Sequence, residues 1–213
     1  MATRFYPDPT NTPDVSPAFT ATFWDDTSVA VRRKLVIDTP GNNASTNFSY
    51  TDTVAGDNFA LLVQFVSEPL DSISALFAVC KFAFRCYEDS AKAEAQLLLI
   101  YSKCDGDGSN VVEFGNSLHP TEFDIAYVNR SFTPADETNG SLSQGDRLIV
   151  EVGTINGSAK TDSYVSSVNV TDNHATTDLP ENNTETAAYN SWFETGDTFT
   201  EATSGVEVTA TLD

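Results

Sequence analysis

The chain has 213 residues, of which 31 are acidic and 11 are basic, so its formal net charge is −20. This charge argues against nucleic acid and anionic lipid as partners, because phosphates would be repelled and no basic stripe compensates. A hydrophobic content of 40 % with 11 % aromatic residues is too high for a disordered acidic chain. The composition therefore predicts a folded acidic protein that binds neither nucleic acid nor membrane.

The beginning of the chain is rich in proline. Residues 1–20 contain the prolines Pro7, Pro9, Pro13 and Pro17. Each proline fixes φ and lacks a backbone N–H, so neither a helix nor a central strand fits this segment. The segment also lacks the apolar core of a signal peptide, which argues against secretion. We predict an extended N-terminal arm over residues 1–20, followed by one β-sandwich domain over residues 21–213.

Aromatic and basic side chains near this arm are the candidates for binding a partner. Phe5, Tyr6 and Phe19 give the arm apolar rings that could press onto a neighbouring surface. Arg32 and Arg33 belong to a short basic run, RRK, just after the arm. We predict that these side chains contact another protein.

The charge is unevenly distributed along the chain. Residues 1–104 hold 12 acidic and 8 basic residues, whereas residues 105–213 hold 19 and 3. The first part is therefore expected to face a partner and the second to face solvent. An acid excess with only five lysines also resembles proteins adapted to high salt, where screening makes repulsion tolerable. Ordinary surface acidity is the alternative.

Short apolar or alternating runs between turn residues predict strands along most of the chain. The predicted strands are 28–37, 48–54, 58–66, 73–87, 93–104, 111–114, 123–132, 147–152, 164–170, 192–198 and 206–212. No convincing helix, linker or internal repeat interrupts them. The predicted fold class is all-β, an antiparallel two-sheet sandwich that resembles a jelly roll.

The most apolar of these strands, 73–87 and 93–104, are predicted to form a hairpin at the centre of the core. One face of the first strand holds Cys80, Phe82, Phe84 and Cys86, and the other holds Val79, Lys81, Ala83 and Arg85. The run AKAEAQLLLIY in the second strand would also suit a short helix by propensity. We favour a strand, because a turn follows it and its neighbours are strands.

Residues with catalytic or metal-binding chemistry are few and scattered. Cys80, Cys86 and Cys104 are not spaced like a metal site, and the first two are about 20 Å apart in an extended strand, too far for a disulfide. We predict that they are buried as small hydrophobic residues. His119 and His174 lie in polar settings without a GxSxG motif. The sequence therefore predicts no enzyme, no catalytic or metal-binding residues and no cofactor.

The run DGDGSN at 105–110 has oxygen-bearing side chains at alternating positions, as a calcium-binding loop has. Asn110 stands where such a loop needs glycine, and Asn116 where it needs a bidentate glutamate. A hairpin turn is therefore the favoured interpretation. Ca²⁺ held by several acidic loops together is the alternative, because carboxylates are abundant.

Sugar chemistry is the other alternative. Trp192 beside Phe193 could form a carbohydrate-binding platform, although a tryptophan buried in the core is the interpretation that we favour. Paired carboxylates could serve a glycosidase, but they are too common here to nominate a pair. N-x-Ser/Thr triplets, which are acceptors for glycosylation in some hosts, begin at Asn43, Asn47, Asn129, Asn139, Asn156, Asn169 and Asn182.

Several stretches resemble a family of structural proteins from the particles of tailed viruses of marine and saline habitats. They are RFYPDP at 4–9, SPAF at 16–19 with a tryptophan at 24, FVSEPL at 65–70, GDRLIVEVG at 145–153 and TDLPENNTETAAYNSWFE at 177–194. None of these stretches is a catalytic motif. The resemblance implies a virion component with a β-sandwich, and it transfers no functional residue.

The residues and the resemblance together predict a non-enzymatic virion protein, assembled in the host cytoplasm. We expect a capsid decoration (cement) or vertex protein that docks through its N-terminal arm and exposes an acidic face. Its expected partners are the major capsid protein or other virion proteins, and further copies of itself in a homo-oligomer, with a trimer favoured. A tail, baseplate or fibre component that binds host-surface glycans is the alternative.

Overall fold

A computed structural model of the chain describes residues 2–20, 22–37, 40, 45–53, 56–71, 75–76, 80–132, 140–157, 162–171, 177–196 and 198–201. All regular structure in these ranges is β, which confirms the predicted class. The strands are β1 Thr3–Asp8, β2 Val31–Ile37, β3 Thr46–Asp52, β4 Asn58–Ser67, β5 Ala75–Leu76, β6 Cys80–Glu88, β7 Gln96–Cys104, β8 Val112–Glu122, β9 Val128–Phe132, β10 Ser141–Leu142, β11 Arg147–Asn156, β12 Tyr164–Val170 and β13 Trp192–Thr195. The predicted strand 206–212 lies outside the described residues.

Hydrogen bonding joins most strands into one large mixed sheet, where two antiparallel sheets were expected. The sheet has 11 strands in the order β3-β12-β6-β13-β1-β2-β4-β11-β7-β8, with β9 paired to β6. β5 and β10 form a separate pair. β2 runs parallel to β4, with Val31 beside Val63, so the sheet is not entirely antiparallel.

The sheet divides at β6. Phe82 and Ala83 pair with β9 on one side and with β13 on the other. Arg85 and Cys86 also pair with β9, but their other neighbour is β12. β6 therefore belongs to two branches, a short one with β12 and β3 and a long one that runs from β13 to β8.

Apolar side chains of the two branches meet in one core. The Phe48 ring in β3 packs against Phe65 in β4 at a centroid distance of 6.2 Å, edge to face. Tyr101 in β7 packs against Phe193 in β13 at the same distance. Packing in the core therefore joins strands that are far apart in the hydrogen-bonded order.

The predicted hairpin of residues 73–87 and 93–104 is wrong. β6 and β7 are both strands, and β7 is not a helix, but they do not pair with each other. β7 lies between β11 and β8, with Leu99 beside Val152 and Ser117. Both strands are apolar enough to be central, so each acquires neighbours on both sides and neighbouring in sequence does not decide the pairing.

The prediction of an extended arm over residues 1–20 is wrong for its first residues. Thr3–Asp8 forms β1, which lies inside the sheet between β13 and β2. Pairing with β13 covers only Thr3–Phe5, whereas pairing with β2 extends to Asp8. Pro7 therefore has a strand partner on one side only, a position that tolerates the missing N–H.

Candidate interaction surface

The aromatic residues predicted to bind a partner from β1 are buried within the chain itself. Phe5 is fully buried and its ring packs against Phe193 and Phe199. Tyr6 is also buried, and its hydroxyl donates to Asp178 Oδ2 at 2.9 Å. Burial, together with the nearby Asp178 carboxylate, raises the pKa of Tyr6 to about 12. In this conformation neither ring is available to another protein.

The other predicted contact residues fasten the segment that follows β1. The Arg32 guanidinium lies 4.0 Å from the Phe19 ring centroid, and its Nη2 donates to the Pro17 carbonyl at 2.7 Å. Arg33 Nε donates to the Pro9 carbonyl at 2.7 Å. These bonds hold residues 9–20 and 22–24, here called the N-terminal cover, against the chain's own sheet.

A buried carboxylate in β11 is the centre of this attachment. Glu151 accepts hydrogen bonds from the Thr20 backbone N–H at 3.0 Å, from Trp24 Nε1 at 2.7 Å and from Gln64 Nε2 at 2.9 Å. Gly153 makes room for the indole, because a Cβ there would lie 2.4 Å from a Trp24 ring atom. Three donors around one carboxylate explain how a charge is accommodated without exposure to water.

The turn between β7 and β8 supports the same cover from the side. Arg147 reaches Asp14 with two bonds of 2.8 and 3.0 Å, and its Nε donates to the Gly106 carbonyl at 2.8 Å. Gly108 has φ +86°, and a Cβ there would lie 3.1 Å from the Val15 Cβ. The antiparallel β7 and β8 confirm the predicted hairpin turn at DGDGSN.

A second covering segment, residues 177–191, lies over β6, β9 and β13 and is here called the C-terminal cover. Asn129 in β9 binds it through both side-chain atoms: Nδ2 donates to the carbonyls of Pro180 and Asn182, and Oδ1 accepts from the Glu185 N–H at 2.8 Å. Trp192 Nε1 donates to the Leu179 carbonyl at 2.8 Å. The attachment to β9 therefore uses neutral groups, and ion pairs of Arg4 with Asp178 and of Lys81 with Glu181 add to it.

Trp192 and Phe193, the alternative carbohydrate platform, are buried in β13, which confirms the favoured interpretation as core residues. Arg4 lies 4.1 Å from the Trp192 ring centroid and also pairs with Asp178 and Glu194. A sugar cannot stack on either ring in this conformation.

The cysteines and the described histidine have structural surroundings. Cys80, Cys86 and Cys104 are buried, as predicted, and burial raises the pKa of Cys104 to about 11. His119 is buried beside the Phe132 ring, and burial lowers its pKa. His174 lies outside the described residues. In the described ranges no three His, Cys, Asp or Glu side chains are grouped for a metal ion.

The asparagines of the N-x-Ser/Thr triplets differ in whether their side chains are buried or exposed. Among those that the structure describes, Asn129, Asn156 and Asn169 are buried, whereas Asn47 and Asn182 are exposed. Only the exposed side chains are accessible to a glycosylating enzyme in the folded chain.

The sequence analysis did not single out Glu151, and it named Asn129 only as a possible glycosylation acceptor, although a signal for their structural roles was present. Glu151 interrupts the apolar run RLIVEV, and Asn129 lies in a short predicted strand. A polar residue within a buried strand indicates a partner that satisfies it, but the sequence does not say which segment supplies that partner.

Comparisons with known proteins give little beyond the fold. No protein-family model and no curated protein matches the chain. Among solved structures it is similar to an α-amino acid ester hydrolase, with 9 % identity, a TM-score of 0.50 and coverage of 79 % of this chain. The chain spans 34 % of that hydrolase. A TNF protein, Eiger from S. frugiperda, matches at 11 % identity over 51 % of this chain and 67 % of its own, with a TM-score of 0.24.

None of the described residues lies in a helix long and apolar enough to cross a membrane.

Proposed function

We propose that the chain is a non-enzymatic structural protein of a tailed-virus particle, most simply a capsid decoration or vertex protein. The observation that carries the proposal is where the stretches that resemble the virion family lie. The stretch at 4–9 contains most of β1, and 16–19 lies in the N-terminal cover. The stretch at 145–153 contains the turn before β11 and most of that strand, and 177–194 lies in the C-terminal cover and β13. These stretches supply the strands and covers that stabilise the fold.

We also propose how the strands are layered and how copies of the chain assemble. Two ring contacts support a two-layer, jelly-roll-like arrangement: Phe48–Phe65 joins the short branch to the long one, and Tyr101–Phe193 joins distant strands within the long branch. We propose that copies form a cyclic oligomer, most simply a trimer, on the major capsid protein. Because Phe5 and Tyr6 are buried, the shell contact is expected to use another surface.

Antibody labelling of purified virions, viewed by electron microscopy, tests the location. Label over the whole head supports a decoration protein, and label confined to vertices supports a vertex protein. Label on the tail or its tip would favour the alternative, a host-attachment protein that binds glycans. Particles without label, and without peptides of this chain by mass spectrometry, would reject the virion role.

A further inference from the structure

An open groove of about 490 Å³ lies between the N-terminal cover and the turn from β7 to β8. One wall includes Phe19, Thr20 and Thr22, and the other includes Asn110, Val111 and Glu113. Its volume is within the range of about 300–1,000 Å³ that is typical of binding clefts. Glu151 holds the first wall and the turn's own hydrogen bonds hold the second, so the groove is already formed without an occupant.

Exposed apolar side chains are concentrated beside this groove. In the described part of the chain the exposed large hydrophobic residues are Val29, Val112, Leu118 and Ile125. Val112 and Leu118, which are 47 % and 41 % exposed, lie on β8, the strand that contributes Glu113 to the second wall. Ile125 comes just after β8. Leu118 is opposite Leu98, which packs beneath the N-terminal cover with Trp24. Such a concentration is typical of an interaction site.

The groove is also negatively charged. Glu113 lines it, and Asp105 and Asp107 lie in the adjoining turn. In the described ranges none of these three carboxylates forms an ion pair. They accept hydrogen bonds from the neutral side chains of Ser109, Asn110 and Asn116 instead. Those from Ser109 lower the pKa of Asp107, which keeps it charged at neutral pH. A cationic occupant would relieve this repulsion.

A second copy of the chain does not fit that requirement. It would bring a further formal charge of −20. The cations of its RRK run are used internally: Arg32 and Arg33 bind backbone carbonyls, and Lys34 pairs with Glu68 at 2.7 Å. Because a second copy would add net negative charge to this face, the favoured occupant is a segment of another protein that is rich in lysine or arginine.

We propose that the groove and the outer face of β8 bind an extended, positively charged segment of another protein. Apolar side chains of that segment would contact Phe19, Val112 and Leu118, and its lysines or arginines would face Glu113 and Asp107. The inference rests on the proposed function only for the identity of the partner, a shell protein.

The groove is tested with two synthetic nonapeptides, one alternating lysine with valine and one alternating glutamate with valine. Binding to the full chain is measured by fluorescence anisotropy at about 0.1 M salt. The test variants are Glu113→Lys and the double variant Val112→Thr/Leu118→Thr, and Val29→Thr is the matched control for an exposed valine elsewhere. Melting temperatures show whether each variant is folded.

We expect the lysine peptide to bind more than tenfold more tightly than the glutamate peptide. Glu113→Lys and the double variant should each weaken it about tenfold, whereas Val29→Thr should leave its Kd unchanged. Equal binding of both peptides, or unchanged Kd values in the folded test variants, would overturn the proposal. Loss of glycan binding or of self-association in the same variants would assign the groove to a sugar or to a second copy, and would overturn it too.

Rebinding to virions stripped of this protein separates the two proposals. Both proposals are supported if the wild-type chain rebinds and if Glu113→Lys and the double variant rebind less. Rebinding that is equal for all variants would show that the shell contact lies elsewhere, and would overturn the groove as that contact. The virion role would be rejected if the wild-type chain does not rebind and mass spectrometry finds none of it in virions. The peptide experiment would still decide whether the groove binds a cationic segment.

Discussion

The two covers perform the same task with different chemistry. The N-terminal cover lies over β4 and β11, where the fully buried Glu151 accepts three hydrogen bonds. The C-terminal cover lies over β6 and β9, where the neutral amide of Asn129 donates to two carbonyls and accepts from one N–H. Each side chain is inaccessible to solvent in the folded chain.

This contrast indicates where the fold is vulnerable. Hydrogen bonds to a carboxylate are about twice as strong as those between neutral groups, so losing Glu151 should cost more than losing the neutral amide of Asn129. The C-terminal cover has further support from Arg4, which pairs with Asp178 at 2.7 Å, but that pair is partly exposed and contributes less. Both covers have several attachments, and we expect the N-terminal cover to be more sensitive to loss of Glu151 than the C-terminal cover is to loss of Asn129.

The largest effect is expected from Glu151→Ala. It leaves donors of Thr20, Trp24 and Gln64 without their acceptor, so the free energy of unfolding should fall by about 4 kcal/mol. Urea unfolding measures the loss, and hydrogen exchange should show that the Thr20 amide loses protection while Leu179 keeps it. Glu68→Ala, which removes a half-exposed carboxylate, is the control and should cost less than about 1 kcal/mol. Equal losses would contradict a special role for Glu151.

Asn129→Ala should destabilise the C-terminal cover by about 2 kcal/mol, because it leaves the Glu185 N–H and two carbonyls unpaired. Here the Leu179 amide should lose protection and the Thr20 amide should keep it. The exposed Asn182, whose backbone carbonyl accepts from Asn129, provides the control, since Asn182→Ala keeps that carbonyl. Loss of protection in both covers would mean that they unfold together.

Glu88 is a buried carboxylate with poorer support than Glu151. It accepts from the Ala95 N–H at 3.0 Å, and burial, with Glu122 and Asp124 nearby, raises its pKa to about 7 despite Arg130. A folded pKa above the unfolded value means that stability falls as pH rises from about 4.5 to about 7 and stays low above that.

Glu88→Gln removes the charge and keeps an acceptor for Ala95. The free energy of unfolding at pH 8 should therefore rise by about 2 kcal/mol, with the gain vanishing near pH 4.5. Urea unfolding at several pH values checks this. A gain that is the same at every pH would show that packing, and not charge, is responsible.

The smallest loss of stability is expected at Gly108, where backbone strain can be distinguished from contact with the N-terminal cover. Gly108→Ala must adopt φ +86° and also press on Val15, whereas Gly145→Ala adopts φ +90° with nothing within 4 Å. Strain alone should cost about 1 kcal/mol in both, so any additional loss of stability at Gly108 reports the contact. Equal melting temperatures would mean that the turn does not support the cover.

Local patterns predicted strands better than their partners. The alternation of Cys80, Phe82 and Phe84 placed the buried face of β6 correctly, because side-chain direction in a strand is local. The hairpin of β6 with β7 was wrong because pairing depends on every other apolar strand that competes for the same edges. The same limit applies to Pro7, whose place in the sheet depends on where β13 begins.

In the candidate site, too, single residues were easier to predict than their distant partners. The sequence singled out Phe19 and Arg32, and the structure brings them into contact, but within one chain and not across an interface. It did not single out Glu151, because a lone acid in an apolar strand indicates a partner without naming it. The groove beside Glu113 could not be predicted at all, since its walls are about 90 residues apart in the sequence.

The all-β class, most strand positions, the buried thiols and the net negative charge follow from the amino-acid sequence alone. These properties depend on composition and on the two-residue period of a strand, both of which are local. The folded chain was needed to show that β6 joins two branches, that the first residues enter the sheet, and that two covers close its faces. Those features depend on which distant groups satisfy a buried donor or acceptor, and that choice is made by the whole chain.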